Sequence, residues 1–445
     1  MGRKPRVLVV DHSGRGHATA DLFARTNDDV VVHYVPGCAA IAEDRILSRP
    51  GLTMDRPEAV VAYSQEAGID LVYVSNPVAV AAGFVDAFRA AGLRVVGPDR
   101  RSARIESSKV EAKQLFERYG IPSPEHVSFS DVDAAMRYVR TCTHQVVVKA
   151  DGMAAGNGAY VCDDAQDALA AIHEIMVKRV FGQAGERIVI ERRHYGRELS
   201  FFALVDGQSY LSLPMALDYP KSDDGNLGVD SAGMGALSPH PMETGDLVGR
   251  LEDSLLRPVM RCISGEGLNY TGVIYLGCML VDDEPMLLEI NARMGDPEAE
   301  VVFPRIESDY LSLCEAMVDG TLDRQRVALN DTSFCTVGLT QGPTGSGLPG
   351  WPYGDHDRGH SVTGIDEVDA SRCRVFVGQA TVVPGKGLVT DGPRVAQVCG
   401  FGDPMSEAVD NAYANVGRIE FEGVRYRTDI GRLLPWETHP AMQEV

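Results

Sequence analysis

The stretch LLEINARMGDPEAE, residues 287–300, decides how this chain is read. An apolar run (Leu287, Leu288, Ile290) ends in Glu289-x-Asn291-x-Arg293 and continues as Gly295-Asp296-Pro297-Glu298. Side chains alternate along a strand, so Glu289, Asn291 and Arg293 share one face. Carboxylate and carboxamide oxygens are hard ligands suited to Mg²⁺, which is usually held by few protein groups together with phosphate oxygens. A guanidinium grips a phosphate or carboxylate with two hydrogen bonds. A plain solvated strand face is the competing reading. The apolar neighbours oppose it, because a buried strand makes unpartnered polar groups costly. The stretch therefore predicts phosphoryl-transfer chemistry with a metal nucleotide.

The rest of the chain is compatible with that chemistry. With 445 residues, 44% hydrophobic and 24% charged, it has the make-up of an ordinary globular protein of several domains. A net charge of −21 argues against general binding to nucleic acid or anionic membranes. No apolar run approaches the ~18 residues of a membrane span, and the N-terminus lacks the apolar core of a secretory signal. The nine cysteines are scattered and never spaced as CxxC, as expected of reduced thiols in a cytoplasmic protein.

Strand-like runs at 6–10, 30–35, 71–74 and 95–97 alternate with helix-compatible segments, which predicts a doubly wound parallel sheet over residues 1–106. A helix at 107–119, closed by Gly120 and Pro122, begins a small β-α-β-α-β lobe over 107–194. Longer strands and one long helix at 245–265 predict a larger α+β domain over 195–330, and a strand-rich domain follows over 331–435.

Four further motifs carry chemistry. KADGMAAGNG, residues 149–158, ends a strand in Lys149 and follows it with small residues, including Gly152, Gly156 and Gly158. A cation and bare backbone N–H groups can be laid against phosphates in this way, and the loop is not a Walker A sequence. DSAGMGALSP, residues 230–239, supplies Asp230, Ser231, Gly233 and Met234 in a backbone slim enough to press on a ligand, with Asp218 just upstream. Glu191 and Glu198 bracket an irregular link that could meet an adenine and its ribose. DHSGRGHA, residues 11–18, puts Ser13, Gly14, Arg15 and His17 where a helix N-terminus favours an anion. This last motif lacks the third glycine and the downstream acid of the dinucleotide fingerprint, so a nicotinamide enzyme is disfavoured.

In their order, SKVEAKQLFERYGIPSP, KADGMAAGNG, AGMGALSP, YTGVIYLG, EINARMGDPE and YANVGRIEFEGVRYRTDIG resemble the phosphoribosylamine–glycine ligase family of the ATP-grasp superfamily along nearly the whole chain. The resemblance implies an ATP-grasp fold with an N-terminal α/β domain and a strand-rich C-terminal domain. It also implies an ADP-forming carboxylate–amine ligase that works through an acyl phosphate. Its cofactors are ATP and Mg²⁺, with Mn²⁺ as a substitute, and a monomer or dimer is expected. By that resemblance Lys109 and Lys149 hold ATP phosphates, Glu191 and Glu198 meet adenine and ribose, and Glu289 and Asn291 bind the metal. Arg293, Gly295 and Asp296 face the acyl phosphate and substrate, so Lys149, Arg293 and Asp296 are the expected catalytic residues.

The N-terminal loops depart from the pattern. The family's GSGGREHA is Asp11-His12-Ser13-Gly14-Arg15-Gly16-His17-Ala18, and its GPEAPL is Ser75-Asn76-Pro77-Val78-Ala79-Val80. PGNAG has become residues 36–40, PGCAA, and the second lysine of AAGKG is Asn157. From these changes we expect a relative that joins a small carboxylate, glycine or a similar amino acid, to a different amine in a specialised pathway. The alternative is the purine-pathway enzyme itself. A non-catalytic nucleotide-binding relative is disfavoured by the retained lysines and Glu289.

Overall fold

Residues 6–96 build a five-stranded parallel sheet in the order Ile46–Ser48, Val31–Pro36, Arg6–Asp11, Leu71–Val74, Val95–Val96. These coordinates come from a computed structural model that describes residues 3–38, 40–41, 44–152, 154 and 158–438. The central strand is buried on both faces, as its unbroken apolar sequence requires. Val7 and Val9 pack against Leu22 and Phe23 of the helix Gly14–Thr26. Leu8 and Val10 pack against Val60, Phe84 and Phe88 from the helices Pro57–Ala67 and Phe84–Ala90. The expected doubly wound sheet is therefore present.

The small lobe is an antiparallel sheet ordered His126–Phe129, Ile188–Arg192, Val146–Ala150, Ala159–Val161. Ala135, Val139, Ala168 and Ile172, from its two helices, fill one core with strand residues Val148 and Ile190. The three-residue strand Ala159–Val161 was not expected, because so short a run has no readable alternation.

The third sheet is also antiparallel, in the order Tyr210–Ser212, Arg197–Val205, Gly272–Val281, Glu284–Asn291. Asp282 and Asp283, with φ of 50° and 66°, make the tight two-residue turn that delivers Glu284–Asn291. Against this sheet lies the helical stretch expected at 245–265. It is not one regular helix. The segment Glu252–Leu256 widens to a π turn before Arg257–Gly265, whose second residue is Pro258. A proline inside a helix removes a donor and crowds the carbonyl four residues back, and a wider turn makes room for it.

The fourth sheet gathers Leu217–Asp218, Gly235–Ser238, Ser333–Gln341, Arg394–Gly402 and Cys373–Val377, with Val424–Arg425 beside Ser333–Gln341. Its first two strands come from the middle of the chain, so the strand-rich C-terminal region shares its sheet with residues 217–238. A hairpin, Lys221–Asp223 with Leu227–Asp230, projects between those two strands in sequence and is fastened by the C-terminal segment. Arg427 Nη1 donates to the Lys221 carbonyl at 2.9 Å, and Thr428 N–H donates to Asp224 Oδ1 at 2.8 Å. Gly225 N–H donates to Asp429 Oδ2 at 2.8 Å, and Asn226 Nδ2 donates to the Pro435 carbonyl at 3.3 Å.

All nine cysteines are unpaired thiols, and every one except Cys142 is buried. Among the described residues, no helix is long and apolar enough to cross a membrane.

Candidate functional site

The site is built where the small lobe faces the strand Glu284–Asn291. Lys149 lies near the end of Val146–Ala150 and is buried. Its Nζ stands 2.8 Å from Glu191 Oε2 and 3.5 Å from the Leu288 carbonyl. Burial alone would lower the lysine's pKa, but the Glu191 carboxylate outweighs it and raises the pKa above the ordinary value. Lys109 opens the helix Lys109–Tyr119, whose cap is Ser108, accepting from Glu111 N–H. Asp151, two residues after Lys149, accepts from Ser108 Oγ at 3.0 Å and Val110 N–H at 3.1 Å. One carboxylate thus ties the start of the Lys109 helix to the end of the Lys149 strand, which fixes the two lysines relative to each other. Gly152 and Gly158 flank the loop: a Cβ on Gly152 would lie 2.6 Å from the Ala184 Cβ, and one on Gly158 2.5 Å from the Ala154 Cβ. Gly156 and Asn157 lie outside the described residues.

Across the cleft, Glu289, Asn291 and Arg293 form one hydrogen-bonded row. Asn291 Nδ2 donates to Glu289 Oε1 at 3.0 Å, and Arg293 Nη2 donates to Asn291 Oδ1 at 3.1 Å. Burial pushes the Glu289 pKa up, yet Lys109 and then Lys149 bring it below the usual carboxylate value, so the group stays ionised. An ionised carboxylate next to a carboxamide, ringed by cations, is a donor set that fits Mg²⁺ carrying a polyphosphate. Glu289 and Asn291 would hold the ion. Among the described residues, no cluster of three or more His, Cys, Asp or Glu is placed to hold a metal ion.

Sequence reasoning missed Glu106. Its carboxylate accepts from Arg293 Nε at 3.1 Å and from Ala292 N–H at 2.9 Å, so it aims the arginine. It also missed Lys113, one helical turn beyond Lys109, buried with its Nζ 3.0 Å from Glu191 Oε1. The signal for Lys113 was its i+4 spacing from Lys109 within an otherwise apolar helix face. The Glu191 carboxylate, read from the sequence as an adenine contact, faces these two lysines. Beside Arg293 a cavity of about 220 Å³ is lined by Pro77, Val80, Arg100 and Glu106.

The loop Gly295–Glu300 lies against two other parts of the chain. Asp296 Oδ1 accepts from Arg394 Nη2 at 2.6 Å and from Gln397 Nε2 at 3.3 Å, both on the strand Arg394–Gly402. Burial would raise the Asp296 pKa, but Arg394 and then Arg15 hold it below the usual value. Arg394 and Gln397 were missed because they lie about a hundred residues from Asp296 in sequence. A Cβ on Gly295 would be 2.2 Å from Glu298 Oε2, and one on Gly233, where φ is +94°, 2.4 Å from Pro297 Cδ. The 231–235 backbone is thus pressed onto this loop. Ser231 Oγ donates to the Pro220 carbonyl at 2.7 Å, and Met234 is fully buried. Asp218 Oδ1 finds no hydrogen-bond partner among the described residues. Burial and the nearby Glu298 push the Asp218 pKa well up.

Glu198 stands at the mouth, where Lys221 and Asp230 of the hairpin meet at 3.0 Å. Solvent reaches its side chain, although the surrounding protein still strips part of its hydration. That loss, followed by the Asp230 charge, pushes its pKa up to about 7.

The N-terminal loop is organised by Asp11, which is fully buried. It accepts from His12 N–H at 2.7 Å, Ser13 N–H at 3.0 Å, Arg15 Nε at 3.1 Å, Ser75 Oγ at 2.8 Å and Asn76 Nδ2 at 3.0 Å. Burial opposes ionisation, but Arg15 and this set of donors hold the carboxyl far below its usual range. Arg15 also reaches the Met294 carbonyl at 3.4 Å. Gly14 is packed so tightly that a Cβ would lie 2.2 Å from Glu300 Oε1. His17 turns away from these groups: its Nδ1 accepts from Val377 N–H at 2.9 Å, and its ring meets Phe376 edge-on.

Family models for the N domain, the ATP-grasp (A) domain and the C domain of phosphoribosylglycinamide synthetase match residues 5–106, 107–299 and 348–433. Phosphoribosylamine–glycine ligase of Caldanaerobacter subterraneus subsp. tengcongensis is 32% identical over 426 residues, which is 96% of this chain and 99% of that protein. The ligase of the same name from Allochromatium vinosum is 36% identical over 427 residues, 96% of this chain and 98% of its own. The crystal structure of the Thermotoga maritima phosphoribosylamine–glycine ligase matches with a TM-score of 0.80 at 26% identity, covering 96% of this chain and 100% of that one. The biotin carboxylase domain of Hydrogenobacter thermophilus 2-oxoglutarate carboxylase, solved with MgADP, ADP and bicarbonate, shares the fold at a TM-score of 0.70 and 14% identity, over 96% of this chain and 92% of that one. With all three domain types matched in order along nearly the whole chain, the chain belongs to the phosphoribosylglycinamide synthetase family and is an ADP-forming carbon–nitrogen ligase of ATP-grasp fold.

Proposed function

We propose that the chain is the phosphoribosylamine–glycine ligase of purine synthesis. One observation carries this reading: Lys149, Glu289, Asn291 and Arg293 line a single cleft in a chain that such ligases match along 96% of its length. A chicken protein named trifunctional purine biosynthetic protein adenosine-3, 34% identical over 428 residues, supports the pathway. The carboxylate of glycine takes the γ-phosphoryl of ATP, giving an acyl phosphate and ADP. The amine of phosphoribosylamine then attacks the acyl carbon; phosphate leaves, the nitrogen loses a proton and an amide remains.

Phosphoryl transfer of this kind needs positioning and charge neutralisation more than covalent help. Lys109 and Lys149 supply positive charge from the small-lobe side, and Arg293, aimed by Glu106, supplies it from the opposite wall. Bound Mg²⁺, held by Glu289 and Asn291, would neutralise phosphate charge further. Glu198, exposed at the mouth, is read as the acceptor for a ribose hydroxyl. Asp296, kept ionised by Arg394, orders the loop that faces the substrates. The small lobe closes the cleft against water, which would otherwise hydrolyse the acyl phosphate. The nine unpaired thiols support a cytoplasmic enzyme.

One observation favours a second reading, a different amine. Asp11, Ser75 and Asn76 all depart from the family's loop patterns, and in the structure they bond to one another, with Arg15 engaged by the same carboxylate. A set of changes that fit together is what a rebuilt amine pocket would contain. The test is ADP release and product mass from purified protein given ATP, Mg²⁺, glycine and freshly formed phosphoribosylamine. Turnover dependent on both substrates supports the first reading. Glycine-dependent turnover that occurs only with other amines supports the second.

A further inference from the structure

We propose that Lys113 is a positioning residue for the nucleotide site, acting through the Glu191 carboxylate to hold the Lys149 ammonium in place. The inference rests on the reading of Lys149 as a phosphate ligand and goes beyond it, because the role it assigns to Lys113 runs through Glu191.

The geometry is a buried relay across three elements. Lys113 comes from the helix Lys109–Tyr119, Glu191 from the strand Ile188–Arg192 and Lys149 from its neighbour Val146–Ala150. On the paired strands Glu191 sits opposite Val147 and Lys149 opposite Val189, so the two side chains meet on the diagonal. One carboxylate oxygen lies 2.8 Å from the Lys149 ammonium, and the other forms an ion pair with Lys113 at 3.0 Å, close in distance but without hydrogen-bond alignment. Lys113 and Glu191 are each 2% exposed. The Lys113 ammonium lies over the Phe116 ring, 5.5 Å from its centre.

Packing alone does not account for Lys113. Burying an ammonium costs several kcal/mol, and an apolar residue of similar volume is often as stable or more so. Burial pushes the Lys113 pKa down to about 8 against the pull of Glu191, with Lys149 pushing the same way. What the second cation does is fix the carboxylate. With Lys149 as its only partner, Glu191 could rotate about its terminal torsions and carry the Lys149 head with it. With both oxygens engaged, the carboxylate has one orientation, and Lys149 is presented toward the cleft in one place. Preorganisation of this sort shows first in nucleotide binding.

The experiment measures Mg·ADP binding by calorimetry on the full chain, beside thermal unfolding and ligase kinetics. Lys113→Met is expected to weaken Mg·ADP about tenfold or more and to raise KM for ATP in parallel. Its kcat at saturating ATP should stay within about threefold of the parent, and its melting temperature should not fall. Lys113→Arg, which keeps the charge, should recover most of the affinity. Because the effect passes through Glu191, the losses in Lys113→Met and Glu191→Gln should not add in the double variant. Should Lys113→Met fail to fold, Lys113→Gln is measured in its place under the same expectations. Parent-like Mg·ADP affinity in the folded variant, additive losses, or affinity, kcat and melting temperature falling together would each overturn the proposal. If the parent protein itself bound no Mg·ADP, the nucleotide reading of Lys149 would fail instead.

Discussion

The guanidinium of Arg394 meets the carboxylate of Asp296 at 2.6 Å and also reaches the Asp296 and Ala232 carbonyls, at 2.8 and 3.0 Å. Three segments far apart in sequence, the strand of Arg394, the loop of Asp296 and the slim backbone around Ala232, therefore share one cation. One wall of the candidate site depends on it.

Replacing Arg394 by Met should leave the part-buried Asp296 carboxylate with Arg15 as its remaining strong counter-charge. Losing the charged partner of a part-buried, hydrogen-bonded carboxylate costs about 1–3 kcal/mol, so thermal unfolding should shift down and ligase turnover should fall steeply. Arg394→Lys should keep part of both, since one ammonium cannot serve three acceptors in a fixed fork.

Lys149→Met tests the phosphate-facing cation. Removing one preorganised charge at a phosphoryl-transfer site costs about 10²–10³ in rate. The ATP-dependent kcat/KM should fall by that order, measured as ADP release with both substrates present. Unchanged turnover would count against the assignment of the whole cleft.

Chelation with EDTA should abolish turnover, and Mg²⁺ or Mn²⁺ should restore it. In Glu289→Gln, which removes the ionised member of the donor pair, the Mg²⁺ concentration for half-maximal rate should rise at least about tenfold. A variant with an unaltered Mg²⁺ requirement would exclude Glu289 as a ligand.

His240 is buried; its Nδ1 accepts from Met242 N–H at 3.1 Å, so Nε2 carries the proton and donates to the Glu198 carbonyl at 3.2 Å. Burial lowers its pKa to about 4 from 6.5. The unfolded chain takes up a proton below pH 6.5 while the folded chain resists until about pH 4. The stabilisation is therefore complete above pH 6.5 and is lost as pH falls through that window, by at most about 3 kcal/mol. Urea unfolding between pH 7 and 4 should show a flatter pH dependence for His240→Gln than for the parent.

Gly233→Ala places a methyl group 2.4 Å from Pro297 on a backbone with φ of +94°. Both effects are unfavourable, and together they should cost about 1–3 kcal/mol and displace the Gly295–Glu300 loop. Turnover should fall more than stability, read by comparing kcat with the urea midpoint.

Much of this site was legible in the sequence because its central residues are local in sequence. Glu289, Asn291 and Arg293 lie on one strand and its continuation, and alternation alone put them on one face. Lys149 and the small residues after it form another local unit. The groups that aim these residues come from elsewhere. Glu106 reaches Arg293 from the short helix Arg104–Ser107, Arg394 reaches Asp296 from the fourth sheet, and Lys113 meets Glu191 only once the small lobe folds. No periodicity records such contacts. The helix at 245–265 was visible as an apolar stripe, but its π turn follows from Pro258, which the stripe does not register. The fourth sheet hid its membership of residues 217–238, since pairing partners a hundred positions apart leave no short-range trace.

The fastening of the hairpin Lys221–Asp230 by residues 427–435 has a consequence for biogenesis. A ribosome makes every charged group of the cleft well before it makes Arg427, Thr428 and Asp429. Until those residues emerge, the rim beside Glu198 lacks the hydrogen bonds that fasten the Lys221 end and the turn of the hairpin, and Tyr353 is left to hold Ser222 and Asp223. Completion of the entrance therefore waits for this segment, and a chain interrupted before it would carry the charged groups of the candidate site around an unfinished rim.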